Sequence, residues 1–307
     1  MKNDKGKKNN SFKRNLPTIL VVLVFIVGIS VFLYPTVSNY LNEKNSTRAI
    51  TNHIEKISKL SVDTIAEEKE KVRRYNKSLF ENCVVLTEPF DKDAHPITDG
   101  EYDELLAFDP VMAYVEIPAI KVNLPIYHST SEEVLLKGVG HLRNSSLPIG
   151  GESTHAVLAA HTGLPSARLF TDLVSLKKGN LFYIHVLDEV LIYQVYKIEV
   201  VLPNETKSLF IQKGRDLVTL TTCTPYGKNT HRLLVHGERI EKKEAQQVRE
   251  PKVERKMTWE DYSKLAVICI TAVFILILLS SIIAGIVRKK KKKKKQQQAQ
   301  KEQNQDN

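Results

Sequence analysis

Apolar and polar positions change rhythm along the chain, and each rhythm predicts a different element. From Leu16 to Tyr34, L-P-T-I-L-V-V-L-V-F-I-V-G-I-S-V-F-L-Y runs without a charge, long enough to cross a bilayer core as a helix. Over 36–80, Ile50, Ile54, Ile57, Ile65, Val72 and Leu79 recur at roughly helical spacing amid mixed charges such as E-E-K-E-K-V-R-R, which predicts a helical region. Over 81–110, Pro89, Pro96, Gly100 and Pro110 interrupt every period and predict an irregular connector. From 111 to 240 the period becomes two. A-Y-V-E-I-P-A-I, V-N-L-P-I-Y-H, H-A-V-L-A-A-H (155–161), L-F-Y-I-H-V-L (181–187), V-L-I-Y-Q-V-Y-K-I-E-V-V (190–201), D-L-V-T-L-T-T-C (216–223) and H-R-L-L-V-H-G-E-R-I (231–240) follow one another. About seven or eight short strands with few helices predict a mainly β domain, a closed barrel or a sandwich. Two short helical patches interrupt it, S-E-E-V-L-L-K and S-A-R-L-F-T-D-L, each opened by a serine in the N-cap position. A charged linker, 241–264, leads to a second uncharged run, 265–287.

Charge adds a topology. The net charge of +10 divides into +5 on 1–35, +6 on 259–307 and −1 on the body between them. Nucleic-acid binding needs a basic face on the folded body, so no nucleic-acid partner is expected. Lys2, Lys5, Lys7, Lys8, Lys13 and Arg14 precede the first apolar run, and Arg288 with Lys289 to Lys295 follows the second. By the positive-inside rule both basic ends stay in the cytoplasm. The expected organisation is a basic tail (1–15), a membrane anchor (16–35), an extracytoplasmic body, a second transmembrane helix (265–287) and a basic, Gln-rich tail (288–307). A cleavable signal peptide is the rival reading of the first run. The run is long for such a leader and no small-x-small site follows it, which favours an uncleaved anchor.

The chain has three cysteines. Cys269 falls in the second apolar run, so only Cys83 and Cys223 could pair outside the membrane, and an exported body of this size with two cysteines is not a disulfide scaffold. Cys223 stands at the end of an alternating run, not inside it. A Pro-Tyr-Gly-Lys-Asn-Thr turn follows, and Arg232 sits at the start of the return strand. His161 ends the strand H-A-V-L-A-A-H. A thiol attacks as its thiolate and needs a neighbouring base or cation. A guanidinium can stabilise the oxyanion that forms on attack. Cys223, His161 and Arg232 therefore make an acyl-transfer set if their strands open on one rim. The plainer reading of each is a small core hydrophobe, a structural histidine and a surface ion-pair partner. His155 shares the face of His161 and either orients it or simply packs. Neither C-x-x-C nor H-E-x-x-H occurs, so no metal site or cofactor is expected. The absence of G-x-S-x-G speaks against a serine hydrolase.

T-L-T-T-C resembles the T-L-x-T-C signature of the sortases, membrane-anchored cysteine transpeptidases of Gram-positive bacteria. The histidine some sixty residues upstream and the arginine on the next strand match that family's order. H-T-G-L-P-S-A-R-L-F-T-D-L, T-C-T-P-Y-G-K-N-T-H-R-L and the second membrane segment most resemble class C, the pilus-assembling sortases. The resemblance implies a closed sortase-type barrel over 111–240 and a lid loop in the 81–110 connector, flanked by two membrane helices. It also implies a lid motif of Asp-Pro-aromatic type. Glu88, Pro89 and Phe90 stand there, with Glu in place of the usual Asp; Asp109-Pro110-Val111 lacks the aromatic. The implied partners are pilins with LPxTG-like sorting signals and acceptor lysines. Cys223 would form a thioester at the Thr–Gly bond, His161 would carry protons, and a lysine amine of a second pilin would resolve the acyl-enzyme. A cell-wall-anchoring sortase using a peptidoglycan amine and a non-catalytic envelope-binding β-domain are the alternatives.

Overall fold

The computed structural model describes residues 9–82, 86, 90, 100–253, 261–262, 265–277, 279–280, 283, 287 and 290, with side chains from residue 20 onward. The chain divides into two compact units, Val37–Lys256 and a second made of Met1–Thr36 with Met257–Asn307.

The larger unit begins within helix α1 (Asn9–Ser58) and continues into α2 (Val62–Glu81). Ser61 separates the two helices, and its hydroxyl accepts the Thr64 N–H as an N-cap. The helical region expected over 36–80 is therefore two helices. The apolar stripe of α2 buries Val72, Tyr75 and Leu79, and two buried polar side chains fix its seat. Asn76 clamps Leu147 through both backbone groups, donating to its carbonyl at 3.0 Å and accepting its N–H at 2.8 Å. Glu68 accepts the Leu106 N–H at 2.6 Å. In the connector, α3 (Gly100–Glu104) is a short helix whose Tyr102 is fully buried. Its hydroxyl meets His141 Nδ1 at 3.0 Å, so the far end of the connector is tied to the barrel.

Eight strands follow: β1 (Val111–Ile117), β2 (Val122–His128), β3 (Val139–His141), β4 (Thr154–Ala159), β5 (Leu181–Val186), β6 (Glu189–Val201), β7 (Asp216–Thr224) and β8 (His231–Arg239). They close in the order β1-β2-β3-β4-β7-β8-β6-β5, with β5 paired back onto β1. The closed barrel alternative is thus the observed one. Seven strands match the alternating runs. The eighth, β3, matches no alternating run, because three residues are too few to show a period. Its backbone runs so close to its neighbours that a Cβ at Gly140 would lie 2.5 Å from the Ser129 carbonyl. Helix α4 (Glu132–Lys137) forms where expected, capped by Ser131. The patch S-A-R-L-F-T-D-L does not form a serine-capped helix; a 3-10 turn starts only at Thr171. Arg168 instead donates its backbone N–H to Asn39 at 2.8 Å and its guanidinium to Asp172. Phe170 and Leu173 are buried. Tertiary anchoring at these positions outweighs the local helical preference.

Side chains alternate between two cores. Ala156, Leu158, Ala160, Val218, Leu220, Leu233 and Val235 belong to the barrel interior. Their neighbours on the opposite face, Val157 and Leu234, form a second apolar cluster with Leu86, Leu142 and Leu209. Within the expected linker over 241–264, α5 (Lys242–Gln247) forms, Glu250 accepts the Leu181 N–H and Asn180 donates to the Pro251 carbonyl.

In the smaller unit, one helix among the described residues, from Leu20, is long and apolar enough to cross a membrane. Leu265–Ile277 is a shorter apolar helix, and the rest of the 265–287 segment is described only in part. Phe25 and Phe274 stack with ring centroids 3.6 Å apart.

Candidate active site

β4, β7 and β8 are consecutive in the barrel, and each delivers one of the three residues singled out in the sequence. β7 and β8 are antiparallel with Cys223 directly opposite Arg232, the closest approach two strands offer their side chains. β4 runs parallel to β7 with Ala159 beside Thr221. Two further contacts carry that register past the end of β4. The Ala160 N–H donates to the Thr221 carbonyl at 3.2 Å, and the Thr222 hydroxyl donates to the Ala160 carbonyl at 2.6 Å. His161 is therefore held beside Cys223, one strand spacing away. Since strand side chains alternate, Thr219, Thr221 and Cys223 share the outer face of β7. The site opens on that face and not into the barrel interior.

Two loops shape the rim. After Thr224 a cis peptide leads into Pro225, and the Asn229 N–H closes the turn onto the Pro225 carbonyl at 3.0 Å. Arg232 donates to the Asn229 carbonyl at 3.1 Å, so the turn orients the guanidinium. Gly163, two residues beyond His161, has φ +74 and lies under the Tyr226 ring, where a Cβ would approach to 3.0 Å. Glycine is the residue that combines this φ with so close an approach. The histidine loop and the Cys223–Arg232 hairpin are thereby packed on each other.

Phe90 covers the rim. Its ring centroid lies 5.9 Å from that of His161, and the Arg232 guanidinium carbon sits 5.1 Å from the same ring. One aromatic side chain from the connector thus touches both groups that flank Cys223. Glu88 and Pro89 lie outside the described residues. Leu86 is buried in the outer apolar cluster with Val157, Leu209 and Leu234. The competing Asp109 is engaged elsewhere, paired with Lys56 at 2.9 Å and accepting the Val111 N–H. Cys223 is half-buried; Cys83, its one candidate disulfide partner outside the membrane, lies outside the described residues. Among the described residues no cluster of histidine, cysteine and carboxylate side chains is placed to hold a metal.

His155, assigned to this face by alternation, belongs to a polar chain whose other members the sequence does not reveal. His155 does not meet His161 through a hydrogen bond of its ring; it is buried lower on β4, its Nδ1 3.0 Å from the Phe210 carbonyl and its Nε2 2.7 Å from Thr219 Oγ1. Thr219 continues to His236 Nδ1 at 2.7 Å, and His236 Nε2 to Glu199 at 3.0 Å. Burial drives the His155 ring down to a pKa of about 4. The available signal was phase: His155 and Thr219 lie on the same faces as His161 and Cys223.

These features agree with the chain's relatives. A family model described as the sortase domain matches residues 115–240. Sortase C-1 from Actinomyces oris is 49% identical and superposes with a TM-score of 0.56 over 58% of this chain and 99% of its own. Sortase C-1 from Streptococcus pneumoniae is 46% identical, with a TM-score of 0.60 over 63% of this chain and 98% of its own. "Sortase A" of Streptococcus agalactiae serotype III is 28% identical over 239 residues, 76% of this chain and 87% of that one. The chain belongs to the sortase family of cysteine transpeptidases, and within it to class C.

Proposed function

We propose that this transpeptidase polymerises pilins, with Cys223 as nucleophile, His161 as proton carrier and Arg232 as oxyanion stabiliser. The observation that carries the reading is the convergence of three adjacent strand ends on one rim, with Cys223 opposite Arg232 and a single ring, Phe90, against both Arg232 and His161. The Cys223 sulfur attacks the Thr–Gly carbonyl carbon of an LPxTG-like sorting signal. Charge develops on the carbonyl oxygen, where the Arg232 guanidinium meets it. As the C–N bond breaks, His161 gives a proton to the leaving amine. A lysine amine of the next pilin then attacks the thioester, passes its proton to His161 and releases the Cys223 sulfur as thiolate, leaving an isopeptide bond. Both bonds are made by exchange at one carbonyl carbon, so the cycle needs neither nucleotide nor metal.

Phe90, with Glu88 and Pro89, acts as a lid that a sorting signal must displace. The lid sets this reading apart from wall anchoring through a peptidoglycan amine. Two membrane passes, with both basic termini in the cytoplasm, would keep the body beside pilins that are still membrane-bound. This topology rests on the apolar helix from Leu20 and the basic residues flanking both apolar runs. The test incubates the full chain in detergent with a purified pilin. Wild type should give a ladder of covalent multimers, and Cys223→Ala none while keeping its melting profile. A ladder from the Cys223→Ala protein would refute the assignment.

A further inference from the structure

The connector between β6 and β7, residues 202–215, packs against the face of the barrel that carries Cys223. Its Leu209 packs with Val157 and Leu234 on the outer face. The neighbouring Phe210 carbonyl is held by His155. That bond is the first of four in a continuous chain: Phe210 carbonyl to His155, His155 to Thr219, Thr219 to His236, and His236 to Glu199. The chain spans β4, β7, β8 and β6 and lies two residues below Thr221 on the face that carries Cys223.

The chain is one hydrogen short. Each of the four bonds needs one hydrogen, and the two ends, a carbonyl and a carboxylate, only accept. Neutral His155, the Thr219 hydroxyl and neutral His236 together supply three. The chain closes only if it takes up a fourth proton. The roles then follow in sequence. His155 must donate from Nδ1 to the Phe210 carbonyl, so its Nε2 accepts from Thr219 if the ring is neutral. Thr219 has then used its only hydrogen and must accept from His236 Nδ1–H. The fourth proton is left between His236 Nε2 and Glu199. Placing it on His155 instead would charge a ring in the centre of the packed face, where burial strongly disfavours the imidazolium.

We propose that His155, Thr219, His236 and Glu199 form a hydrogen-bond chain that positions the β6–β7 connector as a wall of the substrate groove and that closes on uptake of one proton. The four are positioning residues: none reaches the reacting atoms. The inference rests on the functional reading above and on the opening of the site onto this face. The groups facing His236 are Glu199 and Lys197 of β6, His155 of β4, and Tyr196 and Arg215 beside them. Burial lowers the His236 pKa, Glu199 raises it in part, and Lys197 and Arg215 lower it further. Proton uptake therefore falls below the ordinary imidazole value of about 6.5.

Glu199→Gln is the discriminating variant. A glutamine amide donates to a neutral His236 Nε2 and supplies the fourth hydrogen without a proton. Full-chain enzyme in detergent, assayed with a fluorogenic Leu-Pro-x-Thr-Gly peptide, gives KM and kcat separately. Wild-type KM should fall about fivefold, the effect of one net hydrogen bond, as pH drops below about 6.5. Glu199→Gln should hold the low KM across the range, and His236→Phe the high one. A Glu199→Gln profile that follows wild type, or a pH effect confined to kcat, overturns the proposal. Carbon-13 histidine NMR on the wild-type chain is independent of turnover and of variant folding. It should show His155 neutral with the proton on Nδ1, and His236 titrating. His236 that stays neutral throughout, or the opposite His155 tautomer, overturns it. Absence of Cys223-dependent peptide cleavage refutes the functional reading instead, and the NMR tautomers still decide the proton count.

Discussion

Replacing Phe90 by alanine should uncover Cys223. The ring makes two interactions that, on the lid reading proposed above, hold the connector over the rim. The Arg232 guanidinium carbon lies 5.1 Å from the ring centroid, and such a contact at a partly exposed site contributes about 0.5–1 kcal/mol. The His161 ring lies at 5.9 Å, tilted by 34°, and an aromatic pair of this kind adds about 0.5–1.5 kcal/mol. Together they stabilise the closed connector by about 1–2.5 kcal/mol, so their loss raises the open population by about 5- to 70-fold. Leu86 stays anchored in its apolar cluster, which places the expectation toward the lower end, near tenfold. With opening fast relative to labelling, the rate of thiol modification follows the open population. The assay is modification of the full chain in detergent by a water-soluble methanethiosulfonate, quantified at Cys223 by peptide mass spectrometry. The modification rate of the urea-unfolded chain serves as the reference. A Cys223 rate within twofold of wild type in the folded chain, with the unfolded reference unchanged, would show that the ring does not gate the thiol.

Two further outcomes concern stability. Burial, above all, holds His141 at a pKa of about 3 and His155 at about 4, whereas an unfolded imidazole titrates near 6.5. Below about pH 6.5 the unfolded chain binds more protons, so this stability is complete above that value and is lost as pH falls toward the folded values. By pH 5 each ring costs up to about 2 kcal/mol, partly offset by Asp216, whose carboxyl burial raises in pKa. The urea midpoint should fall steadily from pH 7 to pH 5, and a flat profile would contradict the buried neutral rings. Gly237→Ala should destabilise the barrel by about 1–3 kcal/mol. The added Cβ would stand 2.4 Å from the Phe182 ring, which is fully buried and stacked on Tyr193 at 5.5 Å; an unchanged urea midpoint would show that this core yields.

Wherever one local period decided the structure, the sequence was sufficient. Strict alternation in D-L-V-T-L-T-T-C and H-R-L-L-V-H-G-E-R-I settled β7 and β8 to within a residue, and the short turn between them made Cys223 and Arg232 opposite partners. Ser131 marked the start of α4. The uncharged run and its basic flank marked the apolar helix from Leu20. What the tertiary structure alone decided depends on parallel or distant pairing. The β4–β7 register that sets His161 beside Cys223 joins segments some sixty residues apart, and no local period encodes a parallel register. β3 is too short to have one. The histidine–threonine–glutamate chain draws one residue from each of four strands, and its proton count emerges only when all four bonds are in place. Alternation assigns a side chain to a face, but only closure of the barrel determines which other side chains share that face within hydrogen-bonding distance.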